Sequence, residues 1–158
     1  MVHRAGALFD EREFVDGENA IVDFKYSASP KVTWWFDHHL SAFMTAEDQA
    51  DFEAHQADGS RALRHFYDAS YISCTSLIAD VAMAKFGFDA KPLAELIYWA
   101  NIVDGAKYES AEAAVEMAEP AMKLTLVIES SPDETLVTRL IPLLTEMPLQ
   151  QVLEQPFV

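Results

Sequence analysis

The chain has 158 residues, 51% of them hydrophobic, with 26 Asp plus Glu against 11 Lys plus Arg and a formal charge of −15. This is one domain's length, with an apolar content that excludes general disorder. The acidity is spread evenly, which argues against an electrostatic grip on duplex DNA, and no apolar run is long enough to cross a bilayer.

The single cysteine, Cys74, excludes an internal disulfide and a zinc site built on several thiolates. The opening MVHRAGALFDEREF lacks the apolar stretch of a secretory signal, so the cytoplasm is the expected compartment. Residues 1–18 read as an irregular segment. AIVDF (20–24) and VTWWFDHH (32–39), separated by the turn-like SASP, read as two buried strands. In the second, Val32, Trp34 and Phe36 share one face and Thr33 and Trp35 the other; bulk on both faces suits a parallel sheet covered by helices.

The charged stretch 44–70 reads as one or two surface helices interrupted at Gly59, with acidic residues 46–58 on a solvated face. Ser73 is the N-cap of a helix striped by Leu77, Ile78, Val81 and Ala82 and ended by Gly87. Pro92 opens another, with Leu93, Leu96, Ile97 and Ala100 at helical spacing, leading into NIVDGAKY at 101–108. Ser110 caps a short helix before Pro120, and residues 121–130 favour helix. Ser131-Pro132-Asp133-Glu134 reads as a capping box ahead of TLVTRLIPLL, and a last helix falls near LQQVLEQ. The fold class is α/β: a parallel sheet flanked by helices, with a helix-rich C-terminal half. Two parallel strands cannot stand alone, so the sheet is expected to be incomplete.

Both strands end in ionisable groups, Asp23 on the first and Asp37-His38-His39 on the second. Ligands of open α/β sheets bind beyond the carboxyl ends of the strands, where parallel neighbours would bring these groups to one rim. Carboxylate plus imidazole suits manganese, magnesium, cobalt or zinc better than calcium. Successive strand side chains point to opposite sides, so His38 and His39 should do different jobs unless the chain turns sharply between them. Lys25 reads as a solvated strand-edge lysine, and Trp34, Trp35, Tyr98 and Trp99 read as core rather than stacking platforms. Cys74 reads as a small buried residue, and His55 and His65 match no metal spacing.

The Asp37-His38-His39 triplet, preceded by the strand-ending Asp23 of IVDF and followed by Asp104 of WANIVDGA, resembles the DHH phosphoesterases. SCTSLIADV (73–81) is similar to the family's intervening helix, and the resemblance spans about residues 14–110. It implies that Asp23 bridges two divalent ions, usually Mn2+ and alternatively Mg2+ or Co2+, and that His38 and Asp104 ligate one of them. It also implies that His39 faces the scissile phosphate while Asp37 orients a histidine. Two cations offset phosphate charge and acidify a water for in-line attack.

The family's first motif, a histidine and two spaced aspartates after a strand, is not reproduced by His3, Asp10 and Asp16. No glycine cluster matches its C-terminal substrate motif. The expectation is a partial DHH domain over 1–158, with strands and metal motifs at 18–40 and a helical part at 44–158, cut on both sides and impaired as a catalyst. The expected function is divalent-metal-dependent hydrolysis of a small phosphoester or phosphoanhydride. Candidate substrates are a nucleotide, a cyclic dinucleotide, a short oligonucleotide or a pyrophosphate-like molecule, with no duplex DNA or membrane as partner and homo-oligomerisation left open. The alternative is a non-catalytic metal- or nucleotide-binding module of the same fold.

Overall fold

The computed structural model describes Phe9, Arg12, residues 14–133 and residues 135–158; most of the irregular opening segment, including His3 and Asp10, lies outside them. The chain forms two compact units, Met1–Ile78 and Ala79–Val158. The first holds a parallel sheet of β1 (Ala20–Val22), β2 (Trp34–Asp37) and β3 (His65–Tyr67), in the order β1-β2-β3. Val22 lies opposite Phe36, and Asp37 opposite Tyr67. The carboxyl ends of all three strands therefore lie at one rim.

The third strand corrects the expectation that 44–70 is helical throughout. Helix α1 (Ala46–Ala57) occupies only its first half, with Thr45 and Asp48 in a reciprocal capping box. Gly59, at φ +76°, then turns the chain toward β3. HFY is too short to announce a strand by alternation, and its place in the sheet comes from pairing with β2.

Trp35, fully buried, centres the core of this unit. Its ring meets Tyr26 at 4.9 Å, Phe52 at 5.5 Å and Phe43 at 5.7 Å, and its indole N–H donates to the Phe24 carbonyl at 2.9 Å. The acidic face of α1 is not merely solvated, since the Tyr26 hydroxyl donates to Asp51 at 2.7 Å. Burial first, then that carboxylate, raises the Tyr26 phenol. Nor is Lys25 merely solvated: its ammonium donates to the Ser41 carbonyl.

Helix α2 (Cys74–Phe86) starts where the sequence places it, with the Ser73 hydroxyl accepting from the Ser76 N–H at 3.1 Å, and Gly87 follows it at φ +67°. After a 3-10 turn at Lys91–Leu93, the second unit continues as α3 (Ala94–Asp104), α4 (Ala111–Glu116), α5 (Pro120–Ser130), α6 (Leu136–Glu146) and α7 (Leu149–Leu153). Ala121, Leu124, Leu136, Leu140, Leu149 and Val152 form its core. The expected capping box before α6 does not form as read: Ser131 closes α5, Thr135 precedes α6, and Glu134 is outside the described residues.

His65 in β3 is buried against Trp35 and Tyr26, with Nε2 3.4 Å from the Val32 carbonyl oxygen. Burial, reinforced by the Arg61 charge, pushes its imidazole down to about 4. The folded chain keeps His65 neutral while an unfolded chain protonates it near about 6.5. Stability present above about pH 6.5 is thus lost as pH falls to about 4, and His65→Phe should flatten that decline in the urea midpoint. At neutral pH, Trp35→Ala should cost about 3–5 kcal/mol by the same measurement, because it removes the hub of the aromatic core.

Candidate metal centre

Strand β2 ends at Asp37, whose carboxylate sets the path of the next two residues. Asp37 is 1% exposed. Its Oδ1 accepts the backbone N–H of His38 at 2.8 Å and of His39 at 3.1 Å, folding the chain sharply just past the strand. The alternation expected for two consecutive histidines is therefore lost. Their rings lie 4.4 Å apart, tilted by 49°, and both approach Asp23.

Asp23 reaches them from the neighbouring strand. It directly follows β1, donates its N–H to the Phe36 carbonyl at 2.9 Å, and sits at φ +57° in the left-handed region. Aspartate occupies that region more readily than most residues with a Cβ, though at some cost. This turn puts Oδ1 3.3 Å from His38 Nε2 and 3.7 Å from His39 Nδ1.

The hydrogen bonds assign the ring atoms. His38 Nδ1 lies 3.1 Å from the Tyr71 carbonyl oxygen, which can only accept, so Nδ1 carries a proton and Nε2 is directed at Asp23. His39 Nδ1 lies 2.7 Å from Asp37 Oδ1, the shortest polar contact in the group. Asp37 thus holds a histidine by its ring as well as by its backbone. Asp68, just past β3, is kept below the usual carboxylate range by the Ser70 hydroxyl and N–H.

One donor atom from each of Asp23, His38 and His39 lies within 4.8 Å of the others. A neutral imidazole nitrogen and a carboxylate oxygen facing each other at 3.3 Å repel unless positive charge lies between them, and a proton or a cation supplies it. Two donors about 2.1 Å from one ion at a tetrahedral angle are themselves about 3.4 Å apart. The Asp23–His38 spacing and the mixed oxygen and nitrogen chemistry therefore fit a divalent transition-type ion.

The structure brings together four of the five residues singled out in the sequence: Asp23, Asp37, His38 and His39. The fifth, Asp104, ends helix α3 in the second unit. Tyr71 escapes a reading of the sequence because it acts through its backbone carbonyl, for which no residue type codes. Cys74 is buried, its thiol 3.4 Å from the Phe36 carbonyl oxygen.

No protein-family model, no curated protein and no solved structure matches this chain.

If Asp37 organises the centre, Asp37→Ala should leave the His38 and His39 N–H groups without their charged acceptor and cost about 3 kcal/mol in urea unfolding. The His39 ring should also lose its fixed tautomer, read from its nitrogen chemical shifts by NMR.

Proposed function

We propose that the chain is a divalent-metal-dependent phosphohydrolase of the DHH type, acting on a small phosphoester or phosphoanhydride. The observation that carries this reading is the Asp23–His38 pair, held face to face at 3.3 Å on the carboxyl rim of a parallel sheet, with the Asp37-anchored His39 beside it. Asp23 and His38 hold the cation, manganese by preference and magnesium or cobalt as substitutes. When bound, it supplies positive charge and Lewis acidity toward a phosphoryl group.

The protein's own residues do the rest. Tyr71 fixes the His38 tautomer, and Asp37 holds the His39 proton at Nδ1, which stiffens that ring. His39 is 45% exposed and turns Nε2 to a phosphate oxygen of the substrate. The net charge of −15 favours small substrates, whose phosphates can be neutralised locally, over long nucleic acid. Asp104 belongs to the second unit and is not used in this reading.

A second reading, metal binding without turnover, is favoured by one observation: among the described residues a single group of three metal-ligating side chains occurs, enough for one ion. Thermal unfolding with manganese and hydrolysis of bis-p-nitrophenyl phosphate separate the two. Manganese at a hundred times its Kd should stabilise the wild type by about 2.7 kcal/mol. Asp23→Asn, which tolerates the left-handed backbone, and His38→Ala should abolish that gain. Hydrolysis should require manganese, vanish in His38→Ala and fall about a hundredfold or more in His39→Ala. Stabilisation without hydrolysis selects the second reading, and absence of both rejects the metal centre.

A further inference from the structure

The second unit contains a cavity of about 210 Å³ between the C-terminal half of α3, the loop before α4, α4 itself and the start of α5. Tyr98, Trp99 and Tyr108 line it together with Glu109, Glu116 and Glu119. Lys107 also borders it, so its ionisable lining carries three negative charges against one positive.

Three features distinguish this cavity from a packing defect. Tyr98, which the sequence pattern assigns to the core, is 57% exposed. It meets Trp99 with ring centroids 5.3 Å apart and planes at 76°, so the cavity has two aromatic walls nearly at right angles. The chain turns that deliver its lining are strained. Ala106, just before Lys107 and Tyr108, has φ +48°, and Met117, just before Ala118 and Glu119, has φ +46°. Among the described residues the only other Cβ-bearing position with positive φ is Asp23, at the candidate metal centre. Strain of this kind persists where the surrounding structure imposes it, and it concentrates at binding sites.

Aromatic faces carry negative electrostatic potential and attract cations whose hydration is weak, and carboxylates around them add long-range attraction. A metal ion would lack close oxygen donors converging on it, whereas an anion would meet the glutamates. The cavity is smaller than the roughly 300–1,000 Å³ of typical drug-sized ligand sites, which suits a head group rather than a nucleotide. We infer that this aromatic and acidic cavity binds a small alkylated ammonium cation of the choline type. The site uses no residue of the metal centre, so it stands or falls independently of the proposed hydrolase activity.

Calorimetric titration of the full chain with choline, at constant ionic strength, tests this. 3,3-Dimethyl-1-butanol serves as the neutral isostere, and a peptide carrying trimethyl-lysine presents the same head group on a chain. Choline should bind saturably and the neutral isostere at least tenfold more weakly. Tyr98→Ala, an exposed substitution, should weaken choline about tenfold, and Glu116→Gln should weaken it severalfold with a reduced salt dependence. Far-UV circular dichroism of each variant confirms the fold. If the peptide binds as tightly as choline, the source is a protein-borne cation in the same cage; if it binds more weakly, the ligand is a free small molecule. Absence of saturable choline binding, equal binding of the isostere, or unchanged affinity in folded Tyr98→Ala overturns the inference.

Discussion

The arrangement at the sheet rim depends on one buried carboxylate. Asp37 is the last residue of the central strand, and Oδ1 alone receives two consecutive backbone N–H groups and the ring of His39. A strand that simply continued would send His38 and His39 to opposite faces of the sheet. By bending the chain within two residues, Asp37 places both imidazoles on the side where Asp23 arrives from β1. A charge in such a poorly solvated position is tolerated because these donors replace water, and they are donors that the turn itself creates.

Support for this turn comes from both sides of β2. β1 delivers Asp23 through a left-handed residue, and β3 begins with His65 packed on Trp35, so the central strand is fixed by pairing on each edge and by an aromatic core beneath it. The same apolar packing keeps His65 neutral. The first unit thus holds two histidine environments of opposite kind, one dry and uncharged under the sheet, the other gathered around carboxylates at its rim.

Much of this is legible in the residues. The Asp23 and Asp37–His39 positions follow from strand ends and the rule that parallel strands present their carboxyl ends together. The helices at Ser73, Pro92, Ser110 and Pro120 follow from caps and proline placement. The third strand is not legible, because three residues after a charged helix carry no periodic signal and acquire strand geometry only from their neighbour. The sharp turn at His38 enters the sequence reading only as an exception, since an aspartate that binds its own downstream backbone looks the same in sequence as one that binds metal or solvent. Tyr98 departs from its expected place for a related reason: helical spacing shows which residues share a face, but not whether that face is covered.

The connection between β1 and β2 bears on the order in which the molecule assembles. Parallel neighbours need a crossover, and here residues 23–33 provide it without a helix to stiffen the path. The helices of the second unit can form from contacts close in sequence, whereas Asp23 meets His38 only after this loop closes and the strands find register. The carboxylate–imidazole pair is therefore a late product of folding. Its formation marks the point at which the sheet has acquired its final connectivity.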